Sequence, residues 1–122
     1  MINKNKEVGG THYADMKIEP IELICALDVD FIQGSIIKYI SRYKNKNGVE
    51  DLNKALHYCN IGFSNIPSPD RKKWCLDRSA DLCIHEYCVL NDFSNVIETA
   101  ITNCCVGDYP ACANEIKRLI EE

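Results

Sequence analysis

The residues best suited to chemistry crowd into one stretch, IIKYISRYKNKNGVEDLNKA, from Ile36 to Ala55. It holds five cations, Lys38, Arg42, Lys44, Lys46 and Lys54, and two adjacent acids, Glu50 and Asp51. Arginine offers a planar fork of donors and lysine a mobile point charge, a combination suited to phosphate. Lys38 and Arg42 lie four apart, on one helical face, and Lys44 and Lys46 follow on a loop, so the four can converge on one anion. The same charges also suit a solvated helix C-terminus, where cations are favoured. Glu50 and Asp51 can hold magnesium or orient a nucleophile, yet acids also suit the first turn of a helix, and Glu50 can pair with Lys54 at i, i+4.

Other candidates are more scattered. Glu19 and Glu22 are three apart on a first helix, a spacing that sets two carboxylates on one face for magnesium. His12 and Tyr13 follow two glycines, where an imidazole and a phenol on a loop can meet a phosphate or a base. His57, His85 and Trp74 suit ordinary surface or core roles. The six glycines form neither G-x-x-x-x-G-K-[ST] nor G-x-G-x-x-G, so a phosphate site here must be built from helix-borne cations.

The frame that positions these residues reads as all-α, a compact bundle of about six helices in one domain, 1–122. Glu19 and Pro20 open a first helix running to about Leu27. A second begins near Asp30, with Ile36, Tyr39, Ile40 and Tyr43 as its apolar stripe. Asn47 and Glu50 have the form of a capping box for a third helix, which carries Leu52, Ala55, Leu56 and Cys59 inward and ends near Gly62 and Phe63. Residues 68–122 read as a three-helix part: a long helix from Pro69 to Val89, one capped by Asp92, and one after the VGDYP turn.

Composition narrows the function classes. The net charge is −4, but residues 38–54 carry +3 and the remainder −7. A basic patch on an acidic chain suits a small anion better than a DNA or RNA polymer. Apolar runs are too short to span a bilayer and the N-terminus lacks a signal-peptide core, which together predict a cytoplasmic protein with no membrane partner. The eight cysteines sit in helical apolar patterns without a CxxC, so they read as small buried hydrophobes and no zinc is expected. A small helical domain with several faces to cover is expected to form a homo-oligomer.

The ordered motifs THYADMKIEPIELI and DFIQGSIIKYISRYKNKNGVEDLNKALHY resemble a small phage domain family that includes the T-seven-type nucleotide kinase. The resemblance covers about residues 11–60, with Glu22 where relatives commonly carry Asp. It implies a phage origin, a helical fold and a nucleotide ligand. On that reading His12, Tyr13, Lys38, Tyr39, Arg42, Lys46 and Lys54 bind the nucleotide, and Asp51 serves catalysis by holding magnesium or placing the acceptor phosphate. Two further expectations stay open: a non-catalytic anti-defence sponge for a cyclic nucleotide signal, and magnesium-dependent pyrophosphate hydrolysis through Glu19, Glu22 and Asp51.

Overall fold

The computed structural model describes residues 16–65 and 77–122. They form six helices: α1 (Pro20–Leu27), α2 (Phe31–Arg42), α3 (Val49–Asn65), α4 (Arg78–Leu90), α5 (Asn95–Cys105) and α6 (Tyr109–Glu121). A single 3₁₀ turn, Tyr43–Asn45, separates α2 from α3. The fold is all-α.

Local chemistry starts three of these helices, α1, α2 and α6, where the sequence predicts. Pro20 takes the first position of α1, where a missing N–H costs nothing, and Glu22 Oε2 accepts the Glu19 N–H at 2.7 Å. Asp30 caps α2, with its Oδ1 accepting the Gln33 N–H at 2.8 Å while Gln33 returns a carbonyl to the Asp30 N–H. Asp108 caps α6 ahead of Pro110.

Three boundaries differ from expectation. Where one helix was expected from Pro69 to Val89, α4 starts at Arg78, because Asp77 is extended (φ −73°, ψ 169°) and its side chain accepts the Ala80 N–H at 2.8 Å as an N-cap. Pro69, Trp74, Cys75 and Leu76 lie outside the described residues. Ser94, not Asp92, caps α5; Asp92 sits instead in the left-handed region at φ 58°, in the turn that separates α4 from α5. At α3 the entrance is held by Asp51, whose Oδ2 accepts the Asn47 N–H at 3.2 Å, rather than by a box between Asn47 and Glu50. Gly48 at φ 57° makes that entrance possible without side-chain strain.

The helices pack as two antiparallel pairs, α2 with α3 and α5 with α6, joined by contacts of α3 on α6 and α2 on α5. Short α1 lies on α2 and α4. The core between them takes Ile36, Ile37 and Ile40 from α2, Leu52, Ala55 and Cys59 from α3, Ile97, Ala100 and Ile101 from α5, and Cys112 and Ile116 from α6. Gly62 lets α3 and α6 approach closely: a Cβ there would stand 2.6 Å from the Tyr109 ring. Two polar pairs in the core are bonded: Gln33 Nε2 donates to the Cys104 carbonyl at 3.1 Å and Tyr87 Oη donates to Ser41 Oγ at 2.6 Å. Asn91 brackets the chain ahead of α1, taking the Lys17 N–H at 3.0 Å and giving its own N–H to the Ile18 carbonyl at 2.8 Å.

Among the described cysteines, Cys59, Cys88, Cys104, Cys105 and Cys112 are buried thiols, as their apolar context predicts, and Cys83 is half-buried. Cys25 departs from that pattern and is exposed.

Candidate anion site between α2 and α3

The C-terminal half of α2 and the N-terminal half of α3 meet side by side, and their charged residues meet with them. Arg42 is buried rather than wet: its Nη2 lies 3.1 Å from Asp51 Oδ1, and the Asp51 side chain has no exposed surface. Burial alone would raise the Asp51 pKa. Hydrogen bonds from Arg42 and Asn47, with the Arg42 charge, more than reverse this and hold the carboxyl below its ordinary range.

Tyr39 is the hub of the remaining cations. Its ring lies 4.6 Å from Arg42 Cζ, 5.5 Å from Lys54 Nζ and 5.7 Å from Lys38 Nζ, all within cation–π range. Lys54 also reaches Glu50 at 3.7 Å and Asp51 at 3.9 Å. The Lys38 pKa is lowered, first by partial burial and then by the charges of Arg42, Lys46 and Lys54, against which Asp51 acts in the opposite sense. Lys46 thus belongs to the same field, whereas Lys44 stands 5.9 Å from the separate ring of Tyr43.

Lys38, Tyr39, Arg42, Lys46, Asp51 and Lys54, which sequence reasoning placed in one site, are therefore brought together. His12 and Tyr13 lie outside the described residues. Arg42 and Asp51 differ from expectation in posture, since each is turned inward on the other. Burying two opposite charges in contact is tolerable only when both are neutralised and bonded, and a direct pair meets that condition. Four cations against two acids, Asp51 and Glu50, leave this part of the surface with a net positive charge.

Glu19 and Glu22 occupy different roles from the paired outward carboxylates expected. Glu22 is engaged with the Glu19 backbone, and Glu19 is itself 6% exposed with Oε2 lacking a hydrogen-bond partner among the described residues. Among the described residues no three His, Cys, Asp or Glu side chains gather as a metal-binding group.

One part of the surface escaped sequence reasoning. Tyr39 stacks on Tyr58 with centroids 5.9 Å apart and planes at 18°, and Tyr58 meets Phe31 edge-on at 6.0 Å. Phe31 is 75% exposed at the first position of α2, so the row ends in an open aromatic face. The available signal was an i, i+8 pair of aromatics, Phe31 and Tyr39, which shares a helix face but names no partner until α3 supplies Tyr58.

No helix among the described residues is long and apolar enough to cross a membrane. No curated protein and no solved structure matches the chain. Residues 7–60, somewhat under half of the chain, match the model of a family described as a protein of unknown function, DUF3310, and this is the same segment that supplies α1, α2 and most of α3.

Proposed function

We propose that the face formed by α2 and α3 binds the phosphate of a nucleotide. The observation that carries the reading is the gathering of Lys38, Arg42 and Lys54 around the Tyr39 ring, with Lys46 in the same field and Asp51 consumed by Arg42. Such a surface attracts anions, and on a chain of net charge −4 the attraction is local, which favours a small ligand over a polymer. The row from Tyr39 through Tyr58 to Phe31 sets aromatic faces next to the cations, where a base can stack.

The motif resemblance supports a phage cytoplasmic protein related to deoxynucleoside monophosphate kinases. In that role Lys38, Lys46 and Lys54 neutralise phosphate charge, and Asp51 acts as a positioning residue that fixes Arg42. Incubation with ATP, magnesium and each deoxynucleoside monophosphate should yield diphosphate; absence of product with every acceptor excludes the kinase while leaving binding to be measured by calorimetry. Absence of both product and binding excludes the reading altogether.

Burial of Asp51 favours a second reading, sequestration without turnover, because the acid at the centre of the cluster is spent on structure. Heat-denaturing a saturated complex separates the two: a sponge for a cyclic or linear nucleotide releases its ligand unchanged, and an enzyme releases product.

A further inference from the structure

The charges around Tyr39 are not equally engaged. Arg42 is turned inward on Asp51 at 3.1 Å, and Lys54 stands 3.7 Å from Glu50 and 3.9 Å from Asp51. Lys38 and Lys46 are both exposed, and among the described residues neither has a carboxylate within ion-pair distance. Lys44 stands apart, over the ring of Tyr43. Four cations and two acids leave two positive charges unbalanced, and the pairing assigns them to Lys38 and Lys46. These two lie within each other's field, since the Lys46 charge follows partial burial and Arg42 in lowering the Lys38 pKa.

Phosphates differ in what they bring to such a pair. A phosphomonoester, the end of a nucleotide, carries roughly −1.5 to −2 charge at pH 7 and three acceptor oxygens. A phosphodiester, whether cyclic or internal to a chain, has given one ionisable oxygen to a second ester bond and keeps a single charge. A lysine ammonium only donates, and its strong hydrogen bonds are those to an ionised acceptor. A diester therefore leaves one of the two ammonium groups uncompensated beside the other, and the repulsion between them persists. A monoester dianion supplies a charge for each.

We infer that the α2–α3 face reads a terminal phosphate: its ligand is a nucleotide ending in a phosphomonoester dianion held by Lys38 and Lys46, and not a cyclic or internal phosphodiester. The inference rests on the nucleotide reading above and narrows it to one phosphate class, against the cyclic ligand of the second reading. Lys38 and Lys46 are then the residues that set phosphate selectivity. The row of Tyr39, Tyr58 and Phe31 serves every base-bearing ligand alike.

Calorimetric titration of the full chain with the four nucleoside 5′-monophosphates, their methyl diesters, the 3′,5′-cyclic monophosphates and the nucleoside 5′-sulfates tests it. The sulfate keeps the shape of the phosphate but carries one charge, so it separates charge from bulk. The best-bound monophosphate should bind about 10-fold or more tighter than its methyl diester, cyclic and sulfate counterparts, the range of a charge-assisted hydrogen bond. Lys38→Met and Lys46→Met, both at exposed positions, should each weaken the monophosphate about 10-fold while holding the diester and sulfate within about threefold. A diester, cyclic nucleotide or sulfate bound as tightly as the monophosphate overturns the inference while nucleotide binding stands. Equal losses for every ligand in both lysine variants overturn the assignment of selectivity to Lys38 and Lys46. Should either variant fail to fold, the ligand series on the unaltered protein still decides the phosphate class. If no nucleotide in the series binds, the nucleotide reading fails and this inference with it.

Discussion

Arg42 and Asp51 form an ion pair of 3.1 Å with both side chains withdrawn from solvent, and that pair ties the end of α2 to the start of α3. Because Asp51 also accepts the Asn47 N–H, one carboxylate closes the connection between the helices and fixes where the surrounding lysines stand.

Removing only one partner should therefore be costly. Asp51→Ala leaves the Arg42 charge buried without its carboxylate, and a loss of about 3–5 kcal/mol is expected in urea unfolding. The double variant Arg42→Met with Asp51→Leu should recover most of this, since well-packed apolar residues replace buried pairs with little penalty. A double variant as unstable as the single one would show that the pair is not the cause.

The depressed Asp51 pKa fixes a sign for the pH dependence. A carboxyl whose folded pKa lies below its unfolded value contributes stability that is complete above about pH 4 and is lost as pH falls through the folded pKa. Unfolding free energy followed from pH 7 downward should decline below about pH 4, and Asp51→Asn should flatten this limb.

Lys38 moves in the opposite sense when a ligand arrives. Partial burial, and then the neighbouring cations, hold its pKa below the ordinary lysine value, and a phosphate placed beside it favours the charged form. NMR titration of the Lys38 side chain should show its pKa rising on nucleotide addition. Lys38→Ala or Lys54→Ala should each weaken binding about tenfold, and more steeply at low salt.

Gly62 should not accept a methyl group. The added Cβ meets ring carbons of Tyr109 at 2.6–2.9 Å, so Gly62→Ala must push α6 away from α3, costing about 1–3 kcal/mol. Tyr109→Phe should give no relief, since the clash is with the ring and not the hydroxyl. Thermal unfolding of the single and double variants checks both statements.

Thiol reactivity should follow burial. Cys25 is exposed, whereas burial pushes Cys88 and Cys105 up to about 12 and raises Cys104. Site-resolved mass spectrometry after brief iodoacetamide treatment should find Cys25 alkylated in the native protein. Cys59, Cys88, Cys104, Cys105 and Cys112 should react only after denaturation.

How much of this was legible in the sequence depended on the range of the interactions. Glu19 with Pro20, Asp30 and the VGDYP turn mark helix starts through bonds within one turn, and their positions were readable. Ser94 acts over the same short range but was passed over for Asp92, a residue with equally good capping chemistry that differs in backbone conformation, and Asp77 was read as lying inside a longer helix. The convergence of Lys38, Arg42, Lys46 and Lys54 was suggested by spacing. The inward turn of Arg42 was not, because periodicity alone places it beside Lys38 on a polar face and only the approach of α3 supplies Asp51. The row of Phe31, Tyr58 and Tyr39 was hidden for the same reason: it exists across two helices and in neither alone.

The ring of Tyr39 has a consequence for the protein as a sensor of its own occupancy. Three cations gather around one aromatic ring, so in the empty state they repel one another, offset by its π-electrons, by the committed Asp51 and by Glu50 beside Lys54. A bound anion relieves that repulsion in the folded chain and finds no such cluster in the unfolded one, so the melting temperature should climb with ligand concentration. The α2–α3 face thus couples occupancy to stability, with the folded state gaining as a bound anion accumulates and losing that gain as the anion is withdrawn.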